Sequence, residues 1–192
     1  MTEVVGILLA AGAAKRFGSS KLLHALPDGI PIGVAAAQAM MQAIPNTIAV
    51  VRPDDQVLKE AYLAIGLTVV ENPLADEGMG TSLAAGINAS LNADGWLIGL
   101  ADMPWILPET MAVLADRLRN GMSMVAPVYR GDRGHPVGFA SCWKNRLTIL
   151  RGDKGAKDLL AEYYDELVLL DTNDSGVVED IDYPDALKRT KQ

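Results

Sequence analysis

The first residues able to do chemistry lie in a loop after the N-terminal apolar run, where residues 9–21 read LAAGAAKRFGSSK. Gly12 and Gly18 let backbone N–H groups approach the oxygens of a phosphate. The loop also carries three cations suited to neutralising charge on a triphosphate during transfer: Lys15, Arg16 and Lys21. Its spacing matches neither the dinucleotide fingerprint GxGxxG nor the P-loop. The sequence therefore predicts a triphosphate-binding loop, and the alternative is an ordinary glycine-rich turn with solvated lysines.

The second candidate is an aspartate that directly follows another apolar run, in the segment LADMP. A lone carboxylate at the end of a buried strand is costly unless it is paired or metal-bound, so Asp102 is a candidate Mg²⁺ ligand. Because Mg²⁺ prefers one or two carboxylates plus substrate phosphates, we expect a second acid at the same point. Glu179, Asp180 and Asp182 follow a later apolar stretch, and Asp182 is the first choice. The alternative is that Asp102 caps a turn and the later acids lie on the surface.

A third loop, NPLADEGMGTSL at residues 72–83, leads into a predicted helix. Small residues open the start of this helix: Gly78, Gly80, Thr81 and Ser82. Free backbone N–H groups at a helix N-terminus favour an anion or the edge of a nucleotide base. We therefore expect this turn to contact a bound nucleotide.

Two further segments concentrate positive charge. The segment YRGDRGHPVGF places Arg133 and His135 in a glycine-rich turn, and GDKGAKDLL adds Lys154 and Lys157 ahead of a predicted helix. Both segments are typical of a site for the phosphate of an acceptor molecule. For His135 the alternative is a packing histidine oriented by a backbone carbonyl.

An alternation of strands and helices must position these loops. Continuous apolar runs predict strands at residues 4–10, 47–51, 68–70, 96–100, 124–128 and 167–170. Helical patterns occupy residues 33–44, 54–65, 82–91, 108–120 and 156–164. Runs without polar alternation indicate strands buried on both faces, and their alternation with helices indicates βαβ units in an α/β fold with a parallel sheet. In such folds ligands bind at the carboxyl ends of the strands, and the loops predicted at residues 11–26, 72–81 and 130–136 are expected to lie there.

Composition narrows the class of protein. With 192 residues and 49% hydrophobic content, the chain is predicted to form a single domain over residues 1–192. A net charge of −7 and a pI of about 4.8 argue against nucleic acid as a partner. We expect no membrane partner and a cytoplasmic location, because no apolar run approaches the length of a membrane span. Cys142 is the single cysteine and is interpreted as structural.

Six ordered motifs in this sequence resemble those of the MobA-like nucleotidyltransferase family across nearly the whole chain. They are LAAGAAKRFGSSK, GMGTSL, LADMP, RGDRGHPVGF, GDKGA and EDIDYPDAL. LAAG in the first loop, rather than LAGG, is similar to the molybdenum cofactor cytidylyltransferases within the family. The resemblance implies a Rossmann-like three-layer fold of the nucleotide-diphospho-sugar transferase type. It also implies CTP as donor, Mg²⁺ as cofactor and a molybdopterin-type acceptor, with a molybdoenzyme receiving the product as a further partner.

The resemblance also carries roles over to individual positions. Asp102 and Asp182 align with the metal positions, and Lys21, Arg16 and Asp102 are the residues implied in catalysis. The implied nucleotide-binding residues are Leu9, Ala10, Ala11, Gly12, Lys15, Arg16, Lys21, Gly80, Thr81, Ser82 and Asp102. The implied acceptor-binding residues are Arg133, His135, Lys154 and Lys157. The sequence departs from the family pattern in two places, since Ala14 stands where serine is usual and Tyr183 where threonine commonly precedes the proline.

The implied reaction is an in-line attack by an acceptor phosphate oxygen on the α-phosphorus of the triphosphate, with no protein nucleophile. The methyl group of Ala11 is expected to narrow the base site and to favour a pyrimidine. Three rivals remain open: the same chemistry with another nucleotide or acceptor, a non-catalytic carrier of molybdenum cofactor, and a nicotinamide-dependent oxidoreductase. The intact Lys21, Asp102 and Asp182 argue against a carrier, and the missing GxGxxG argues against an oxidoreductase.

Overall fold

The computed structural model describes residues 2–12 and 21–182, which form one eight-stranded sheet flanked by helices. The strands are β1 (Val4–Leu9), β2 (Thr47–Val51), β3 (Thr68–Glu71), β4 (Gly95–Leu100), β5 (Met124–Tyr129), β6 (Asp132–Arg133), β7 (Val137–Ala140) and β8 (Leu167–Asp171). The α-helices are α1 (Ile32–Ala43), α2 (Gln56–Ala64), α3 (Met79–Asn88), α4 (Pro108–Arg119), α5 (Lys144–Leu147) and α6 (Lys157–Glu162). Short 3₁₀ helices cover Lys21–Leu23, Ala75–Glu77, Ser141–Trp143, Tyr164–Glu166 and Ser175–Val178.

The sheet is mostly parallel. Its strand order is β3-β2-β1-β4-β7-β5-β6, and β8 pairs with β5. The pairs β1 with β2, β1 with β4, β2 with β3 and β5 with β8 are parallel, whereas β7 runs antiparallel to both β4 and β5. The six predicted strands are all present, and their ends differ from the prediction by at most one residue.

The hairpin of β5 and β6 differs from the expectation of a loop over residues 130–136. Arg130 (φ 52°) and Gly131 (φ 93°) form a two-residue turn with positive φ at both positions, a geometry that matches the twist of two antiparallel strands. The glycines that suggested a binding loop therefore serve in part to reverse the chain. The hairpin pairs Arg133 of β6 with Val128 of β5.

The alternation of side chains along the central strand divides the interior into two cores. Val4 and Leu8 of β1 pack in one hydrophobic cluster with α1, α2 and α4. Val5, Ile7 and Leu9 point to the other face and pack in a second cluster with α3, α5 and α6. Both faces of the sheet are thus covered by helices, which is why β1 carries no polar residue. The three-layer α/β fold predicted from the sequence is confirmed.

The loops after the parallel strands meet at one edge of the sheet. The backbone N–H of Ala101, just after β4, donates to the carbonyl oxygen of Leu9 at 3.1 Å. Similarly, Ala10 donates to Val50 at 2.9 Å and Asn72 donates to Val51 at 2.9 Å. The segments that follow β1, β3 and β4 are therefore neighbours at this carboxyl edge. Within residues 2–12 and 21–182, no helix is both long enough and apolar enough to span a membrane.

Candidate active site

Three aspartates converge at the carboxyl end of β4. Carboxylate oxygens of Asp102, Asp180 and Asp182 lie within 4.8 Å of one another. The later two acids reach this point because the backbone N–H of Ile181 donates to the carbonyl oxygen of Asp102 at 3.0 Å. The side chain of Ile181 is fully buried and points away from the acids on either side of it. The structure thus brings together the acid of the LADMP segment and both of the later aspartates.

Lys21 bridges this group of acids. Its Nζ lies 2.8 Å from Oδ2 of Asp102 and 3.6 Å from Oδ1 of Asp182. Its side chain is 15% exposed, against 26% for Asp102 and 47% for Asp182, so the ion pair with Asp102 is partly shielded from water. Leu22 is buried beneath it and anchors the short 3₁₀ helix that begins at Lys21. A cation therefore already sits where the negative charge is concentrated.

The crowding of negative charge affects the pKa of Asp180. Partial burial of its carboxyl group raises the pKa, and repulsion by Asp182 and Asp102 raises it further, while Lys21 acts in the opposite direction. Asp180 as a whole is exposed, so only its carboxyl group is partly shielded from water. Three acids with one lysine leave a net negative site, and oxygen ligands of this kind suit a hard divalent cation.

The first loop is described only up to Gly12. Leu9, Ala10 and Ala11 are buried at the end of β1, whereas Gly12 is exposed. Among the described residues, no heavy atom lies within 4 Å of a β-carbon built on Gly12. Lys15 and Arg16, and the departures at Ala14 and Tyr183, lie outside the described residues.

The turn at the start of α3 differs from expectation. The N–H of Gly80 donates to the carbonyl oxygen of Gly152 at 2.8 Å, and the N–H of Thr81 donates to Gly78 at 3.2 Å. The prediction of free N–H groups is therefore wrong for Gly80 and Thr81. A β-carbon on Gly80 would lie 2.7 Å from the backbone of Arg151, so glycine is needed there for the close approach of two loops.

A buried polar network supports the same turn. Asn72 donates from Nδ2 to Oγ1 of Thr81 at 2.9 Å and to Oγ of Ser82 at 3.0 Å. Oγ1 of Thr81 donates to the carbonyl oxygen of Leu74 at 2.8 Å, and all three side chains of the network are buried. These contacts order the loop between β3 and α3. Nucleotide contacts by Gly80, Thr81 and Ser82 remain a prediction.

All four predicted acceptor-binding side chains line one cavity of about 380 Å³. They are Arg133, His135, Lys154 and Lys157. The rest of the lining is apolar except for Asp153, and it consists of Leu9, Met79, Leu83, Ile98, Leu100, Val137, Phe139, Ala156 and Leu160. These walls could not be predicted from the sequence, because an apolar residue facing a cavity looks the same in sequence as one facing the core. Asp153 was also missed, although it lies within the GDKGA motif.

His135 is held neutral at this cavity. Burial lowers its pKa to about 4, and the neighbouring charge of Arg133 adds to this effect, while Asp102 and the backbone carbonyl of Ile98 oppose it. Its Nδ1 is buried and has no hydrogen-bond partner among the described residues. The backbone N–H of His135 donates to Val177 at 2.8 Å, which fixes the turn that carries the ring. Lys154, by contrast, is exposed and pairs with Asp158 at 3.1 Å.

The mostly parallel sheet with helices on both faces, bearing its acid cluster and its cavity at the carboxyl edge, is the fold of nucleotide-diphospho-sugar transferases. Residues 6–167 match the MobA-like NTP transferase domain, and the chain belongs to this family. The family predicted from the six motifs is confirmed.

Two bacterial proteins are similar to the chain over nearly their whole lengths. The purine catabolism protein PucB of Bacillus subtilis is 29% identical over 95% of this chain and 93% of that protein. Nicotine blue oxidoreductase of Paenarthrobacter nicotinovorans is 27% identical over 97% of this chain and 95% of that protein. The two relatives are named for different processes, although both are similar in sequence to this chain.

Solved structures show the same fold. The crystal structure of Rv0371c from Mycobacterium tuberculosis has a TM-score of 0.80 at 25% identity and covers 96% of this chain and 94% of that one. A complex of the same protein with manganese has a TM-score of 0.77 at 23% identity and covers 98% and 100%, respectively.

Proposed function

We propose that the chain transfers the CMP half of CTP to the terminal phosphate of a molybdopterin-type acceptor and releases pyrophosphate. The observation that carries this proposal is the adjacency of two unlike sites at one edge of the sheet. Lys21 bridges the acids around Asp102, and Leu100, only two residues earlier, lines the cavity with the four predicted acceptor-binding side chains. A donor and an acceptor bound at these two places would meet at the carboxyl end of β4.

The acid cluster has the composition of a magnesium site. Two oxygens bound to one Mg²⁺ lie at most about 4.2 Å apart, because each bond is about 2.1 Å long. Each of the three acids offers a carboxylate oxygen within 4.8 Å of the others, so a small closure would bring two of them to a separation that Mg²⁺ can bridge. Mg²⁺ held by Asp102 with Asp182 would neutralise charge on the α-phosphate and on the leaving pyrophosphate. The manganese complex of Rv0371c supports the use of a divalent cation.

Lys21 serves the triphosphate in this proposal. In the structure its Nζ neutralises Asp102 and Asp182. When a divalent cation takes over that role, the ammonium group is free to turn toward the β- and γ-phosphates, since a lysine side chain is flexible and has three donors. Lys21 would then stabilise the charge that develops on the leaving group.

The chemical step needs little from the protein except position and charge. An oxygen of the acceptor phosphate forms a new bond to the α-phosphorus, the bond to the pyrophosphate oxygen breaks, and pyrophosphate leaves with that electron pair. A phosphate monoester is already largely ionised near neutral pH, because its second pKa is about 6. No general base is therefore required, and the rate depends on alignment and on electrostatic stabilisation.

The cavity favours an acceptor with a large apolar or aromatic body. A sugar would bury hydroxyl groups against walls such as Leu83, Ile98 and Phe139, and each unpaired hydroxyl costs about 1 to 3 kcal/mol. A flat heterocycle instead gains from the same contact. Arg133 and Lys157 then offer cations for its phosphate.

The preference for CTP is supported by the LAAG segment and its resemblance to the cytidylyltransferases. The decisive experiment supplies Mg²⁺, molybdopterin and each of the four nucleoside triphosphates in turn, and measures pyrophosphate release and the mass of the product. We expect the fastest release with CTP, little release when glucose 1-phosphate replaces molybdopterin, and almost none with Asp102→Asn. Release with the sugar phosphate but not with molybdopterin would contradict the acceptor assignment and retain the reaction class.

A nicotinamide-dependent reductase is the second candidate, because a relative of 27% identity is named an oxidoreductase. The absence of GxGxxG after β1 argues against it. The test follows the absorbance of NADPH with the protein and an electron-accepting dye. Steady oxidation of NADPH that survives Asp102→Asn would favour the reductase over the transferase.

A further inference from the structure

Asp174 is a buried carboxylate that the proposed chemistry does not use. It is only 6% exposed, whereas the other acidic side chains among residues 2–12 and 21–182 keep more contact with water. No lysine, arginine or histidine of the described residues lies within 4.0 Å of it in an ion pair. A charge buried in this way requires several hydrogen bonds to offset its lost hydration.

Those hydrogen bonds join two distant segments. Oδ2 of Asp174 accepts from the backbone N–H of Leu107 and from Oγ1 of Thr110, both at 2.8 Å, and Oδ1 accepts from the N–H of Gly176 at 3.0 Å. Leu107 is the N-cap residue of α4, and this twelve-residue helix has no side-chain cap of its own. The carboxylate therefore caps α4 from a segment more than sixty residues away, where the helix dipole favours negative charge.

The same two segments carry the three acids. Asp102 precedes Leu107 by five residues, and Asp180 follows Asp174 by six residues. Between these ends the segments stay in close contact, because a β-carbon on Gly176 would lie 2.3 Å from the carbonyl oxygen of Trp105. The N–H of Ile181 then reaches the carbonyl oxygen of Asp102.

Without such an anchor the acids would not meet. The segment after β8 leaves the sheet at β5, which is separated from β4 by β7, so the chain must return across the carboxyl edge to reach Asp102. Val177 and Ile181 contribute buried apolar contacts along this path, but apolar contacts alone do not fix a register. The directional hydrogen bonds of Asp174 fix it at the point where the return begins.

We infer that Asp174 is a positioning residue for the acid cluster: its carboxylate locks the segment of residues 174–182 onto the start of α4, so that Asp180 and Asp182 reach Asp102. The predicted effect of Asp174 on metal binding rests on the function proposed above. The predicted effect on the placement of residues 174–182 does not depend on that function.

The test compares Mn²⁺ binding by the wild-type chain, Asp174→Asn and Thr110→Val, measured by electron paramagnetic resonance at matched protein concentrations. In Asp174→Asn an amide NH₂ group replaces one carboxylate oxygen and cannot accept the hydrogen bonds that this oxygen accepted. We therefore expect Mn²⁺ affinity to fall at least about tenfold while the circular dichroism spectrum is retained. Thr110→Val removes one of three hydrogen bonds and should give a smaller loss. Wild-type affinity in both variants would overturn the inference.

Leu147→Ala is the matched control, because Leu147 is fully buried in α5 and packs in a different hydrophobic cluster from Val177 and Ile181. We expect it to lower the melting temperature and to leave Mn²⁺ affinity unchanged. An equal loss of affinity in Leu147→Ala and Asp174→Asn would show that general destabilisation accounts for the effect and would overturn the inference.

Hydrogen exchange separates the inference from the proposed function. We expect amides of residues 176–181 to exchange faster in Asp174→Asn, with the strands β1 and β4 unchanged. If the wild-type chain binds no Mn²⁺, the metal-dependent function fails, and the exchange data still decide the role of Asp174. Unchanged exchange in this segment would overturn the positioning role whatever the metal result. If Asp174→Asn fails to fold, Thr110→Val provides the same test, with a smaller expected increase in the exchange of residues 176–181.

Discussion

The acid cluster and the cavity share one edge of the sheet but hold charge in different ways. In the cluster, Lys21 lies within ion-pairing distance of Asp102 and Asp182, and Asp180 has a carboxylate oxygen within 4.8 Å of theirs. In the cavity, the cations stand among apolar walls, and Lys154 and Lys157 are exposed. Coulomb interactions between close, partly shielded charges are strong, whereas apolar walls act by contact and by excluding hydroxyl groups. Under the proposed function, the first region would set the rate and the second would select the acceptor.

The largest effect is expected from the acid on which this contrast depends. Asp102→Asn keeps the shape of the side chain but removes the charge next to Lys21, and we expect turnover to fall at least about a hundredfold. The melting temperature should change little, since the residue lies at the strand end and outside the apolar clusters. Steady-state rates and thermal unfolding of the same preparation measure both.

The other two acids serve as graded controls for that experiment. Asp182 pairs with Lys21 at 3.6 Å and Asp180 is more exposed, so we expect Asp182→Asn to cost more turnover than Asp180→Asn. The reverse order would move the second metal ligand to Asp180. Near-normal turnover in Asp102→Asn would remove the assignment of the cluster to catalysis.

The next effect concerns the lysine that bridges the cluster. Lys21→Ala should lower kcat/KM by about thirty- to a hundredfold, because it removes a charge-assisted contact worth about 2 to 3 kcal/mol. Lys59→Ala is the matched control, since Lys59 also pairs with an acid, Glu71, but on the edge strand β3. Similar small losses in both variants would indicate that Lys21 is only a surface ion pair.

The sequence predicted the layers of the fold better than the contacts at its edge. Strands such as β1 follow from local apolar runs, and the start of α4 follows from Pro108. The hairpin of β5 and β6 was missed because Arg130 and Gly131 look in sequence like any glycine-rich loop. Their positive φ angles become visible only when two strands pair.

Long-range hydrogen bonds account for the rest of what was missed. Gly80 was expected to offer a free N–H group, but Gly152, more than seventy residues later, already accepts it. Asp174 lies in no motif, because its partners Leu107 and Thr110 are more than sixty residues away. By contrast, the meeting of Asp102 with the later acids was predicted, since a magnesium site demands a second carboxylate whatever the path of the chain.

A third prediction uses pH to test how dry the cavity is. The pKa of His135 is about 4 in the folded chain and near 6.5 when unfolded, so between these values the unfolded state binds more protons. Stability is therefore lost as the pH falls from about 6.5 to 4, by about 3 kcal/mol at the lower limit. Urea unfolding at several pH values should show this slope, and His135→Gln should flatten it. An equal slope in His135→Gln would mean that the histidine is solvated.

The smallest effect is expected at the point where the donor base is read. Ala11 is buried, whereas no described atom lies within 4 Å of a β-carbon built on Gly12. Substitutions at these two positions therefore distinguish a change in the shape of the loop from direct obstruction of the nucleotide. If the methyl group of Ala11 narrows the base site, Ala11→Gly should shift the preference for CTP over GTP by about 1 to 2 kcal/mol toward GTP. Gly12→Ala should leave the melting temperature unchanged, since no described atom lies within 4 Å of the added carbon, but it should raise KM for both nucleotides alike. Competition between CTP and GTP, scored by the mass of the product, measures the ratio directly. A wild-type preference for GTP would contradict the cytidylyltransferase proposal, whereas an unchanged ratio in Ala11→Gly would assign base selection to another part of the site, such as the loop that Asn72 orders.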